Sequence, residues 1–168
     1  MNKKAFQKIS YGVYIIASRK DSSLNGQIAN TVFQVSSDPA TFAVCINKNN
    51  LTHDFIDRSQ VFSITVLSIH TPLEFIGRFG FRSGREINKF ENLNFRVGLT
   101  GAPIVLDHGI AFIECRLEKK LEVMTHTIFV GKVENAEVLS DLEPLTYDYY
   151  HKIKGGKTAK NAPTFVKD

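Results

Sequence analysis

The stretch AFIECRLEKKLEV, residues 111–123, alternates between apolar and charged side chains over most of its length. Its odd positions are apolar except Lys119, and the even positions from Glu114 to Glu122 are all charged. Because successive side chains of a strand point to opposite faces, this period of two predicts an antiparallel strand. We expect its odd face in the core and its even face in water.

Further runs rich in β-branched and aromatic residues predict strands at residues 12–18, 27–37, 41–47, 61–67 and 127–139. Two short helices are predicted. One covers residues 71–79, with Thr71 as N-cap and Pro72 at the first helical position, and the other covers residues 49–59 after an asparagine cap. Long helices never alternate with the strands. The predicted fold class is therefore mainly β, an antiparallel six- to seven-stranded barrel with a few short helices.

Length and composition are those of one globular domain, with 168 residues, of which 43% are hydrophobic and 23% charged. We predict a domain over residues 1–150 and a Lys- and Gly-containing tail of the same domain over residues 151–168. The net charge of +4 lies in this tail, which holds five lysines and one aspartate. The first 150 residues are therefore neutral, which argues against a nucleic-acid partner.

Signals for location and for metals are absent from the sequence. The N-terminus lacks the apolar run of a secretory signal, and no run reaches the roughly 20 apolar residues of a membrane span. Cys45 and Cys115 lie far apart in apolar segments and are predicted to be buried, reduced thiols. The histidines are not spaced as metal ligands. These features predict a cytoplasmic protein with no membrane partner and no metal.

Three polar clusters lie at predicted strand ends or in loops: IANTVFQVSS (residues 28–37), INKNNLTH (46–53) and FGFRSGREINKF (79–90). The second combines a strand end, a lysine and a helix start, which suits a phosphate. The third offers glycines, a serine and cations for an anion, with aromatic rings for stacking. Taken alone, the first cluster fits a solvent-exposed strand face better than a binding site. The other two clusters fit a solvated turn or loop as well as they fit a binding site. His126, at a strand start, is by itself more typical of a hydrogen-bonding residue than of a catalyst.

Taken together and in order, these segments resemble the flavin reductase-like family, whose fold is the FMN-binding split barrel. The matching segments are NGQIANTVFQVSSDP, INKNNLTHDFI, RFGFRSGREINKF, THTIFVGKVENAEVL and the tail PLTYDYYHKIKGGKTAKNAPTF. The tail resembles the branch of small flavin reductases related to the flavin modules of rubredoxin-fused proteins and to flavoredoxins. The resemblance implies a homodimer that holds one FMN per subunit.

The resemblance also implies the site. The residues that it assigns to FMN binding are Asn30, Thr31, Ser36, Ser37, Asn47, Lys48, Thr52, His53, Phe81, Ser83, Gly84 and Lys89. His126 matches the family histidine near the flavin and the nicotinamide, and is the implied catalytic residue. Arg82 and Arg85 are expected either to contact a 2′-phosphate or to be solvated.

The function that follows from the resemblance is an NAD(P)H:flavin oxidoreductase. Hydride would pass from NADH or NADPH to flavin N5, and electrons would continue to free flavin or to a redox acceptor protein. An alternative is a flavoredoxin-like electron carrier with little direct NAD(P)H oxidation, which Met124 favours because relatives commonly have glycine there. A third is a small β-barrel that binds single-stranded nucleic acid, which the neutral body disfavours.

Overall fold

The computed structural model describes residues 1–165, except for the side chains of Lys3 and Lys4. Its long strands are β1 (Tyr14–Lys20), β2 (Ser23–Ala29), β3 (Val32–Ser37), β4 (Ala40–Asn47), β5 (Val61–Leu67), β8 (Gly109–Val123) and β9 (His126–Val138). The short strands β6 (Phe95–Val97) and β7 (Pro103–Val105) form a separate pair. The helices are α1 (Leu51–Ser59), α2 (Leu73–Gly80) and α3 (Tyr147–Lys152), with a 3₁₀ helix at Lys3–Lys8.

The seven long strands form one antiparallel sheet in the order β2-β1-β5-β8-β9-β4-β3. Its two edges, β2 and β3, are consecutive in the chain and are joined only by Asn30 and Thr31. Three Cα–Cα steps span at most about 11 Å, so this link forces the sheet to curl until its edges approach. The mainly β antiparallel class is confirmed. Strand pairing within the described residues does not close the predicted barrel.

The prediction of one strand over residues 27–37 is wrong. β2 ends at Ala29 and β3 begins at Val32, so the chain leaves one edge of the sheet and enters the other. Between them, the Thr31 carbonyl accepts a hydrogen bond from the Cys45 N–H at 3.1 Å. Composition does not reveal this break, because Asn30 and Thr31 also fit the polar face of a continuous strand.

The strand predicted from the period-two stretch is confirmed, but its faces are not as expected. Phe112 and Glu114, at even positions, are completely buried, whereas Leu121 is 60% exposed. Two irregularities in the pairing with β9, between Glu114 and Cys115 and between Leu117 and Lys119, shift the register. The first half of β8 is covered on both faces, by a core cluster on one side and the β6–β7 segment on the other, and its second half projects into solvent.

Both predicted helices form; the N-cap of α1 is an asparagine as expected, whereas that of α2 differs from the prediction. α2 has Pro72 at its N-cap position, and the buried Thr71 hydroxyl donates instead to the Ser68 carbonyl at 2.7 Å, so the predicted capping box is wrong. α1 does begin after Asn50, but Asn50 makes no side-chain cap bond. Instead, the Asn50 side-chain Nδ2 donates to Gln27 Oε1 on the neighbouring β2 at 3.1 Å.

No helix within residues 1–165 is long and apolar enough to cross a membrane. The predicted tail is described up to Phe165, and Val166, Lys167 and Asp168 lie outside the described residues. The division into a body and a tail at residue 150 stays a prediction.

Candidate functional site

A cavity of about 650 Å³ lies between β2, the end of β4, the start of α1, the loop after α2 and the C-terminal tail. Its size is in the range of cofactor sites. Five cations line it, and none of the described lining residues is an aspartate or a glutamate. The cations are Arg82, Arg85, Lys89, Lys157 and Lys160. This one-sided charge favours an anionic ligand.

Amide and hydroxyl side chains form the inner wall of the cavity. Asn30, Asn47 and Thr52 are nearly completely buried and all line it, and the resemblance assigned all three to FMN binding. Asn47 Oδ1 accepts from the Asn49 N–H at 3.0 Å, and Thr52 Oγ1 accepts from Asn25 Nδ2 at 2.8 Å. These bonds fix the rotamers of the wall, so a ligand meets preorganised polar groups.

The loop after α2 forms the opposite wall. Phe81, 52% exposed, lines the cavity together with Ser83 and Gly84. The Ser83 hydroxyl accepts from the Arg85 N–H at 3.2 Å, which shapes the turn. A Cβ added at Gly84 would lie 2.0 Å from Asn25 Oδ1, so only glycine allows this close approach of the loop to β2.

Lys89 lies beneath that loop and is 5% exposed. Its ammonium donates to the Gly26 carbonyl at 2.9 Å and the Phe79 carbonyl at 3.0 Å, and so ties the loop to β2. Burial lowers the pKa of Lys89 to about 8. The side chain lines the cavity as predicted, but two of its donors are already engaged by the protein.

We expect Lys89→Met to remove a pH dependence of stability from the apoprotein. Since the folded pKa of about 8 lies below the usual lysine value of 10.5, the folded chain loses this proton first as the pH rises. The free energy of unfolding should therefore increase between those two pH values, by up to about 1.4 kcal/mol per pH unit. Urea unfolding at several pH values between about 7.5 and 9.5 measures this increase. Lys48→Met is the matched exposed control, and equal slopes in all three proteins would contradict the expectation.

The tail packs across the cavity and supplies its third wall. Asn161 Nδ2 donates to Asn50 Oδ1 at 2.8 Å, and Asn30 Nδ2 donates to Thr164 Oγ1 at 2.9 Å. The Tyr147 hydroxyl on α3 lies 2.7 Å from Thr158 Oγ1. The first two of these contacts bring residues more than 100 positions apart to one site.

His126 lies at the start of β9 and touches the tail. Its Nε2 is 3.1 Å from the Asn161 carbonyl oxygen, and its Nδ1 is 2.8 Å from the Thr125 hydroxyl. A carbonyl oxygen can only accept, so Nε2 carries the proton and, in the neutral ring, Nδ1 accepts from Thr125. The side chain is outside the described lining of the cavity, one residue away from it through Asn161.

Other predicted residues are outside this lining as well. The Lys48 ammonium forms an ion pair with Glu122 at 2.7 Å. His53 Nε2 lies 2.8 Å from Thr127 Oγ1, and burial is the main cause of its lowered pKa. Ser36 and Ser37 lie at the far end of β3, where the Ser36 hydroxyl contacts the Pro39 carbonyl and Thr41 Oγ1. Thr31 lies just before β3, and its hydroxyl donates to Asn30 Oδ1 at 3.1 Å. The structure does not bring these side chains into the cavity, and their contacts with FMN stay predictions.

Several lining residues were not found from the sequence. Asn25 and the tail belong to segments that resemble the family, but neither Asn25 nor any tail residue was assigned to the site. The signal that was available is the tyrosine pair Tyr147 and Tyr150 on α3, which anchors the tail. Cys45, predicted to be buried, is half-buried on the cavity wall, whereas Cys115 is buried as predicted.

A curled antiparallel sheet with a cationic cavity, whose described lining includes no carboxylate, defines a binding site for an anionic, partly apolar ligand. Comparison with known proteins identifies the class. The model of the flavin reductase like domain matches residues 6–154, so the chain belongs to the flavin reductase-like family. The family predicted from the resemblance is confirmed.

Three relatives illustrate the similarity. A high molecular weight rubredoxin of Moorella thermoacetica is 50% identical over 99% of this chain and 72% of its own length. A ferric-chelate reductase (NAD(P)H) of Archaeoglobus fulgidus is 49% identical over 98% of each chain. An FMN-binding protein of Thermus thermophilus has the same fold, with a TM-score of 0.73 and 24% identity over 80% of this chain and 75% of its own.

Family membership and these relatives support the predicted flavoprotein oxidoreductase of the flavin reductase class, with FMN as cofactor and NAD(P)H as reductant. The described cavity fits FMN in three respects: its volume of about 650 Å³, its aromatic and amide walls, and its five cations for one phosphate. The roles of individual residues stay predictions.

Proposed function

We propose that this chain is an NAD(P)H:flavin oxidoreductase that holds FMN in the cavity and passes electrons to free flavin or to a redox acceptor. The observation that carries the proposal is the cavity itself, with buried amides on one wall and five cations around it. FMN, when bound, would supply the acceptor for the hydride of NAD(P)H. The protein supplies position, exclusion of water and electrostatic stabilisation.

The roles of the residues follow from their chemistry. Asn30, Asn47 and Thr52 would bind and orient the cofactor on the inner wall, while Phe81 offers a ring for stacking on the other side. Lys89 would hold the loop against β2 and, as the resemblance implies, complete the pocket for the FMN phosphate. His126, as the predicted catalytic residue, would hold a proton at Nε2 beside the nicotinamide.

The test is the visible spectrum of the purified protein before and after anaerobic NADH or NADPH. A flavin band that bleaches within seconds supports the reductase. A band that persists with both nucleotides but yields to dithionite indicates the electron carrier instead. If no flavin is present and added FMN does not bind, the proposal is wrong.

His126→Ala should slow the reduction of bound flavin by NADH more than it weakens FMN binding. Stopped-flow absorbance measures the rate of reduction, and a titration of the apoprotein measures FMN affinity. The reverse result would reassign this residue.

Met124, which favoured the carrier alternative, lies at the turn between β8 and β9 and is 91% exposed. Within a single chain, the Met124 side chain does not crowd the cavity. The reductase is therefore better supported than the electron carrier. The rubredoxin relative extends beyond the region that this chain matches, which supports an electron-transfer protein as one candidate acceptor.

A homodimer is part of the proposal. Phe33 and Val35 are exposed on the edge strand β3, and Leu121 and Val123 are exposed on the projecting end of β8. Apolar side chains on an unpaired edge are typical of surfaces that a second chain covers. Sedimentation analysis gives the molar mass in solution, and a monomer at micromolar concentration would refute this part alone.

A further inference from the structure

The tail from Lys157 to Phe165 belongs to the binding site although it lies outside the region of the family match. That match ends at residue 154, whereas eight of the residues from 157 to 165 line the cavity. The two relatives of about 50% identity align over almost the whole chain, so their similarity extends through this segment. The tail is therefore a candidate for a function that the family core does not supply.

The tail is held in place at both ends and in its middle. The Tyr150 hydroxyl donates to the Lys157 carbonyl at 2.9 Å and lies 3.1 Å from the Lys157 N–H. Asn161 is fixed to Asn50, and Thr164 to Asn30, by the bonds already described. The backbone around Lys157 and Lys160 is therefore positioned by the fold.

The two lysines of this segment differ from the lysines that precede them. Lys152 forms an ion pair with Asp148 at 2.7 Å, and the Lys154 ammonium lies 5.9 Å from the centre of the Tyr149 ring. Within the described residues, the ammonium groups of Lys157 and Lys160 have neither a hydrogen bond nor an ion pair, yet both side chains line the cavity.

Across the cavity, Arg82 and Arg85 belong to the loop after α2. Arg85 Nη1 donates to the Asn49 carbonyl at 3.2 Å, which leaves its other donors available. Four exposed cations thus converge from two segments on one cavity, with no described carboxylate in its lining to neutralise them. Positive charge gathered around one cavity favours an anionic ligand there.

We propose that Lys157 and Lys160, together with Arg82 and Arg85, form a subsite for a phosphate monoester, half of which is supplied by the tail. This inference rests on the proposed function, because it takes the ligand to be a phosphate of the flavin or of the reductant. Guanidinium groups bind phosphate oxygens in a fixed geometry, and ammonium groups act as adaptable point charges.

The experiment compares Lys157→Ala/Lys160→Ala with the matched pair Lys152→Ala/Lys154→Ala, which removes two cations from α3 and its end, outside the cavity. Apoprotein is titrated with FMN and with riboflavin, which lacks the phosphate, at low and high salt. We expect about tenfold weaker FMN binding in the first double variant, an effect that shrinks at high salt, and unchanged riboflavin binding. The control pair should bind both flavins as the wild type does.

A second arm identifies the source of the phosphate. KM is measured for NADPH and NADH with each FMN-saturated protein. Unchanged FMN binding with a KM for NADPH about tenfold higher, but the same KM for NADH, would assign the subsite to the 2′-phosphate of the reductant and still support the proposal. Equal losses for FMN and riboflavin, or no loss with any ligand, would overturn it. Wild-type protein that binds no FMN would instead overturn the proposed function, and a thermal melt checks that each variant is folded.

Discussion

Glu114→Ala should lower the free energy of unfolding by about 3 kcal/mol or more, since it removes a buried acceptor from several donors at once. The Glu114 carboxylate is completely buried and accepts from the Leu99 N–H at 3.1 Å, the Thr100 N–H at 3.0 Å and the Thr100 hydroxyl at 2.9 Å. Alanine would leave those backbone donors without a partner beneath the β6–β7 turn. Gly98 packs so closely on this carboxylate that a Cβ would lie 2.0 Å from Oε1.

Urea unfolding of the apoprotein, followed by circular dichroism, measures this loss. For a chain of this size, the expected melting temperature falls by about 6–12 °C. Glu118→Ala is the matched control, because Glu118 lies on the same strand and is exposed. Its effect should stay within about 0.5 kcal/mol. Equal stability of the two variants would show that the β6–β7 turn does not depend on the buried carboxylate.

Gly84→Ala is the change from which we expect the largest effect on FMN binding, a loss of about tenfold or more. The added Cβ would lie 2.0 Å from Asn25 Oδ1 and 3.0 Å from Leu51 Cδ2. Asn25 cannot easily yield, because it is 3% exposed and donates to Thr52 Oγ1 at 2.8 Å. The loop itself must move, which displaces Ser83 and the neighbouring cations from the cavity wall.

A double-mutant cycle isolates this steric cause. In an Asn25→Ala background, Gly84→Ala should weaken FMN binding much less than it does in the wild type, because the opposing oxygen is gone. Gly77→Ala is the control, since a Cβ there meets nothing within 4 Å, and it should stabilise α2 by up to about 1 kcal/mol with FMN affinity unchanged. If Gly84→Ala costs the same affinity in both backgrounds, contact with Asn25 is not the reason for the glycine.

The strands and the family could be predicted from the sequence because both depend on local signals. Period-two patterns and β-branched residues located five of the seven long strands within about three residues, and the ordered motifs identified the family. The break at Asn30 and Thr31 was missed, because it is imposed by the meeting of the two sheet edges. The capping box at Thr71 was predicted wrongly for a similar reason, since the Thr71 hydroxyl donates to the Ser68 carbonyl instead of capping the helix.

The candidate site could be predicted only in part. Asn30, Asn47, Thr52, Phe81, Ser83, Gly84 and Lys89 were chosen by resemblance, and they line one cavity in the structure. Lys48 was expected at a phosphate because it precedes a helix start, but Glu122 on β8 is its partner. A partner 74 positions away cannot be inferred from the residues beside Lys48.

The antiparallel β fold and the flavin reductase-like family can be inferred from the sequence alone, because alternation and motifs are properties of neighbouring residues. Which face of β8 is buried depends on the folded sheet, in which Glu114 lies inside and Leu121 outside. The position of the lysine-rich tail, which closes the cavity instead of extending into water, also depends on the folded structure. Burial and charge clustering depend on contacts between residues far apart in the chain, and those contacts exist only once the sheet has curled.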